Sequence, residues 1–203
     1  MSIYSMSNRL IKMGKRQLQK VQTREKIITT AMKVYSEHGF STPTSVIADE
    51  AGLSHGSIFA HFPTVESLLV CLLEVFAKEI NAEMHFLSES GDIAKLLNMH
   101  INVLIKYENF YKRLITQAVY LPEEAKNTFI AIQSTVSIHF IQVLEHEKNE
   151  GRIKNVTFHM LFNTWLGLVH YYLLNSALFA PKESVLKRYK NTLIKCFIAL
   201  IKK

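Results

Sequence analysis

The stretch from Thr42 to Phe62 constrains the fold of this chain more than any other. It holds two short amphipathic segments on either side of Gly52. The first has a start signal: Thr42 is expected to cap the orphan amides, and Pro43 sits where a missing N–H costs nothing. Ile47, Ala48 and Ala51 put small or apolar groups on one face. Gly52 allows the positive φ of a sharp exit, and Leu53 plugs the corner. Ser54 then caps a second helix, whose Ile58 and Phe62, four residues apart, point inward together. His55, Gly56, Ser57, Phe59, Ala60 and His61 remain outward. That face is small, polar and uncharged at neutral pH, as a helix entering the major groove of DNA must be. The pattern predicts a helix-turn-helix.

The flanking sequence predicts an all-α chain. From Thr23 to about His38, the positions Ile27, Ile28, Ala31, Val34 and Tyr35 keep helical spacing, and Gly39 ends that helix with Phe40 folded back as its stop. Thr64 caps a longer helix with Glu66 in its first turn and Leu68, Leu69, Leu72, Leu73 and Phe76 on its inward side. Further helices are expected over 92–107, 108–120, 122–149, 156–179 and 182–202, separated by Gly91-Asp92, Leu121-Pro122, Asn149-Glu-Gly151 and Ala180-Pro181. Glycine and proline are otherwise scarce, at 7 and 4 residues in 203, and no alternating β-branched run stands out. A three-helix head on a larger helical body follows.

Charge is uneven along the chain. Of 24 Lys and Arg residues, 8 lie in residues 1–63 against 4 acids, so more than half of the net +7 sits in the first third. Phosphate attraction wants that bias, although ordinary solubility charge would also produce it. Residues 1–22 form a basic segment with Arg9, Lys12, Lys15, Arg16 and Lys20 and no acid, either a solvated tail or an arm for phosphate and minor-groove contacts. The N-terminus lacks the apolar core of a signal peptide, and Cys71 and Cys196 sit in apolar helical patterns without metal-ligand spacing, as buried or half-buried thiols of a reducing, cytoplasmic compartment. Leu161 to Ala180 is twenty residues without a formal charge, long enough for a spanning helix. Asn163, Thr164, His170, Asn175 and Ser176 within it favour a protein interface over a membrane.

The motif Ile47-Ala-Asp-Glu-Ala-Gly-Leu-Ser-His-Gly-Ser-Ile-Phe-Ala-His-Phe62, followed by Thr64-Val-Glu-Ser-Leu-Leu69, resembles the TetR/AcrR family of bacterial transcriptional regulators over about Thr23–Leu73. The resemblance implies an Ω-shaped homodimer that reads a double-stranded DNA operator and answers to a small-molecule effector. The domains would be the basic arm 1–22, a DNA-binding domain 23–63, a connecting helix 64–86, and a ligand-binding and dimerisation domain 87–203. His55 and Gly56 take the positions that approach base edges. Thr44 and Ser45 start the preceding helix, where phosphate and sometimes base contacts arise, and Ser57 and His61 match backbone-contacting positions. Two departures stand out. Phe59 replaces the usual hydroxyl-bearing aromatic, and Val65 replaces a common lysine. Both imply a thinner phosphate grip, for which the basic segment, or Arg24 and Lys26, would compensate.

No catalytic constellation stands out in the body. His139 and His146 are seven apart, beyond the i, i+4 pair that suits zinc, and glycine-rich phosphate loops and serine elbows are absent. An enzyme is not expected, nor a cofactor or metal. The body is instead dense in aromatics: Met99, Tyr107, Phe110, Tyr111, Tyr120, Phe129, Phe140, Phe158, Phe162 and Trp165 are candidates for core or for a cavity wall, with His100, Gln133, Asn163 and His170 to orient a ligand. Tyr107, Phe110, Tyr111, Phe129 and Trp165 with those four polar groups are the expected effector pocket, a feature the resemblance implies. It also implies that 156–179 and 182–202 form the homodimer interface. The expected function is a ligand-responsive repressor; the alternative is a helical scaffold that binds proteins without binding an operator.

Overall fold

The computed structural model describes residues 14–88 and 91–203. It is all-α, with no β-strand among the described residues. The first helix, α1 (Lys15–His38), starts eight residues before the expected Thr23. Its opening turns, Lys-Arg-Gln-Leu-Gln-Lys-Val-Gln, are mostly long unbranched residues of high helix propensity. They carry no apolar stripe, so hydrophobic spacing does not reveal them. Lys15, Arg16 and Lys20 therefore sit on a helix rather than in a tail, and Arg9 and Lys12 lie outside the described residues.

The helix-turn-helix is α2 (Thr44–Ala51) and α3 (His55–His61). Thr42 does not cap α2. Its hydroxyl donates to the Gly39 carbonyl at 2.8 Å, and Pro43, extended at φ −61° and ψ 146°, takes the cap position. The ring of Pro43 fixes φ but leaves the chain extended, so the helix begins one residue later than the sequence suggests. Gly52 adopts φ 59° and ψ 40°, a left-handed exit that lets its amide reach the carbonyls of Ala48 and Asp49. Ser54 caps α3 by accepting from the Ser57 amide, and Ile58 and Phe62 are buried beneath it.

The long helix α4 (Val65–Ser88) begins with a reciprocal cap. The Ser67 amide donates to Thr64 Oγ1 at 3.0 Å, and the Thr64 amide donates to Ser67 Oγ at 3.2 Å. Its first turns close the head, and the rest runs along the body. There α5 (Ile93–Lys106), α6 (Glu108–Gln117), α7 (Glu123–Asn149), α8 (Phe158–Leu174), the single turn α9 (Ser176–Phe179) and α10 (Val185–Ile201) pack together. A short 3-10 turn, Ala118–Tyr120, shortens the expected 108–120 helix. The expected 156–179 helix breaks at Asn175, whose side-chain amide donates to the Tyr171 carbonyl at 2.8 Å. The charge-free run is thus two helices, and among the described residues no single helix is long and apolar enough to cross a membrane.

Head and body share one core. Rings of Tyr35 and Phe40, then Phe40 and Phe110, then Phe110 and Phe76 approach edge-on at 5.7, 5.7 and 6.2 Å between centroids. Polar clamps reinforce the joint. Arg113 on α6 donates to the carbonyls of Ser36 and Glu37 at the end of α1, at 3.3 and 2.6 Å. Gln117 accepts from the Phe40 amide at 2.9 Å. Gly39, at φ 90°, lies so close to the Gln117 amide that a Cβ there would fall 2.7 Å from it. On the far side, the Glu108 carboxylate accepts from the Ser184 hydroxyl and from the amides of Val185 and Leu186, an anion set on the positive end of α10.

Candidate nucleic-acid interface and effector cavity

The outer face of the head is built from the starts of α2 and α3. Ser45, His55, Gly56, Phe59 and Ala60 are exposed, with Ser57 and His61 half-buried. Gly56 needs no special backbone, and nothing lies within 4 Å of where its Cβ would stand. Its bareness is thus not a requirement of the fold. His55 is held on two sides: its Nε2 pairs with the Thr44 hydroxyl at 3.0 Å, and its ring meets Phe59 edge-on at 5.0 Å. Thr44 is itself buried, so it supports His55 from behind instead of facing outward as expected. The hydroxyl of Ser57 is paired with that of Ser54 at 2.8 Å. Arg24 is also occupied, stacked 4.7 Å over the Phe62 ring with a contact of 3.3 Å to the Cys71 sulfur. It therefore packs the head rather than standing free for phosphate. Lys26 is exposed, beside the Gly52 turn.

The body contains a small cavity lined by Phe76, Ile80, His100, Tyr111, Phe129, Ile132, Gln133, Val136, Phe162 and Leu166. Four of the nine expected pocket residues meet there: His100, Tyr111, Phe129 and Gln133. Two more stand behind them. Trp165 Nε1 donates to His100 Nδ1 at 3.2 Å, and the Tyr111 hydroxyl pairs with His170 Nε2 at 2.8 Å. The other three go elsewhere. Phe110 fills the joint with the head, Tyr107 lines an outer groove beside Met32 and Lys182, and Asn163 is exposed on the opposite side of α8. Among the further aromatic candidates, Phe162 lines the cavity, Phe140 is buried between Phe162 and Phe197, and Tyr120 is 85% exposed. Phe76, which the sequence places only on the inward side of α4, and Ile80, which it does not single out, are cavity walls because that helix packs along the body.

Burial sets the protonation of this cluster. Desolvation, with the nearby His170 adding to it, lowers the His100 pKa to about 4. Desolvation also lowers His170, while the Tyr111 phenol is pushed up by burial against a smaller opposing hydrogen bond from Gln133. With its Nδ1 accepting from Trp165, His100 carries its proton on Nε2.

A third surface lies on α8 and α10. Met160, Tyr171 and Leu174, with Gly167 between them, leave an apolar outer side on α8, and Leu200 and Cys196 are exposed on α10. Cys196 is therefore not the buried thiol expected, because it sits on the solvent side of its helix.

Residues 27–71 match the family model described as bacterial regulatory proteins, tetR family. Nothing among curated proteins matches the chain. Among solved structures, a TetR-family transcriptional regulator from Agrobacterium tumefaciens is similar at a TM-score of 0.76 and 18% identity, covering 91% of this chain and 100% of that one. PfmR, a TetR-family regulator from Thermus thermophilus, is similar at 0.70 and 18%, covering 83% and 97%. SmeT, the repressor of the Stenotrophomonas maltophilia multidrug efflux pump SmeDEF, is similar at 0.66 and 19%, covering 89% and 90%. A SmeT–triclosan complex is similar at 0.69 and 18%, covering 90% and 92%. Head and body together thus have the fold of these regulators, and residues 27–71, which hold the helix-turn-helix, match the model of the tetR family of bacterial regulatory proteins.

Proposed function

We propose that the chain is a dimeric repressor that binds a near-palindromic operator and is released by a small apolar or amphipathic effector in the central cavity. The observation that carries this reading is the start of α3, bare at Gly56, with His55 steadied by Thr44 and Phe59. Such a face lets backbone approach base edges while an imidazole reaches a guanine N7 or O6. Ser45, Ser57, Phe59 and His61 flank it as phosphate and sugar contacts. A head of this kind has to share a compartment with the chromosome, so the cytoplasm is its place. The apolar side of α8, continued on α10, supports pairing of two copies. Two heads would then meet successive major grooves about 34–36 Å apart.

Two routes lead from cavity to head. Phe76 and Ile80 line the cavity on α4, whose first turn abuts α3. Tyr111 lines it on α6, whose Arg113 and Gln117 hold the end of α1. An effector that fits only one arrangement of these helices shifts the head spacing by its difference in affinity for the two states. Repression by SmeT and its complex with triclosan are a precedent for both halves of this reading. The test is a gel-shift titration with the DNA upstream of the chain's own gene, at several salt concentrations. A sequence-selective, salt-sensitive complex is expected, with His55→Ala relaxing base preference and His61→Ala weakening all sites alike. Equal losses on every site for His55→Ala would remove the base-reading role, and no selective complex at all would favour the protein-binding scaffold.

A further inference from the structure

The wall of the central cavity contains no Asp, Glu, Lys or Arg. Its polar groups are His100, Tyr111 and Gln133, with His170 and Trp165 behind them. Burial keeps both histidines neutral and the phenol protonated at neutral pH, so no member of the cluster supplies a charge. An ion carried into such a site loses its hydration and meets no counter-ion. Neutral hydrogen-bonding capacity does remain. Gln133 lines the cavity with both an amide donor and a carbonyl acceptor. His100 spends Nδ1 on Trp165, which leaves the Nε2 proton as a donor. A hydroxyl, which accepts from the His100 Nε2–H and donates to the Gln133 carbonyl, satisfies both.

The remaining wall is Phe76, Phe129 and Phe162 with aliphatic neighbours, and it closes on about 10 Å³, room for about one water. A ligand must therefore displace part of this wall, and an aromatic ring packs well against the rings of Phe76, Phe129 and Phe162. Building on the effector reading above, we infer that the effector is an uncharged aromatic molecule with a single hydroxyl, seated against the Phe129 and Phe162 rings and bonded to His100 and Gln133.

Three probes of one shape and different charge test this on the full chain: 4-tert-butylphenol, 4-tert-butylbenzoate and 4-tert-butylbenzylammonium, each titrated by calorimetry at neutral pH. The phenol is expected to bind at least tenfold more tightly than either ion. In Gln133→Leu, a half-buried position that tolerates an apolar side chain, its affinity should fall about five- to tenfold, in keeping with one lost hydrogen bond. Binding of the benzoate or the ammonium as tightly as the phenol overturns the inference. So does a phenol that does not bind, or one indifferent to Gln133→Leu. A gel shift on the same preparation separates the two readings: a selective operator complex without phenol binding sinks this inference alone, while a missing complex sinks the regulator reading.

Discussion

The head and the body each build a site around a histidine, and they do so in opposite ways. His55 is exposed, braced by Thr44 behind and Phe59 beside it, and its surroundings are bare. His100 is buried, tied to Trp165, and its surroundings are crowded with rings. The first arrangement holds a polar group ready for a partner too large to enter. The second keeps polar groups inside a wall that carries no Asp, Glu, Lys or Arg. Reading DNA therefore needs rigidity at the surface, whereas sensing a molecule needs an interior that can open.

The contrast can be broken most severely where the two regions meet. Phe76 is fully buried and touches the rings of Tyr107, Phe110 and Tyr111. Phe76→Ala should cost about 3–5 kcal/mol in urea unfolding, with head and body lost in one transition. Two separate transitions would mean that the core is not shared. Next in size is the effect of acid on His100. Its folded value of about 4 lies below the 6.5 of an unperturbed histidine, so the unfolded chain takes up the proton first. Stability is complete above 6.5 and falls as pH drops toward about 4, by roughly 3 kcal/mol over the whole window. His100→Asn, weaker at neutral pH, should show a shallower decline.

Arg113→Ala removes two hydrogen bonds to main-chain carbonyls and should cost about 1–2 kcal/mol in the same unfolding measurement. Its sharper signature is functional: operator binding persists while the effector's power to release DNA declines. Full release by effector in this variant would assign the coupling to α4 alone. Smallest is Thr44→Val, which keeps the shape beneath His55 but removes its hydroxyl partner. Discrimination between cognate and mutated operators should fall about fivefold, or about 1 kcal/mol, with little change on non-specific DNA. An equal loss on all DNA would make Thr44 a fold residue only.

The head is legible in the sequence because its grammar is local. Gly52, Ser54, Ile58 and Phe62 act on neighbours within a few residues, and each sits where the spacing puts it. Thr42 misleads because two caps are available within three residues, and the Gly39 carbonyl claims its hydroxyl. The early turns of α1 escape notice because helix propensity without amphipathic spacing leaves little trace. The cavity is only half legible for a different reason. His100 meets Trp165 across 65 residues and Tyr111 meets His170 across 59. Periodicity says which side of each helix is buried, yet not which buried sides face one another. Phe110 and Tyr111 are adjacent in sequence, and one goes to the joint while the other goes to the cavity. Asn163 shows the complementary error: a polar residue in an apolar run reads as inward, yet its side of α8 faces out.

The clamp at the head–body joint has an evolutionary corollary. Arg113 and Gln117 take hold of main-chain atoms of Ser36, Glu37 and Phe40, and every amino acid supplies those atoms. Only Gly39 is singled out, because its backbone angle and the nearness of Gln117 exclude a side chain. On the repressor reading, the residues proposed to face an operator are thus free to diverge without unfastening this clamp. A different head joined after the same glycine turn should keep the same hold on this body, whatever sequence its outer face carries.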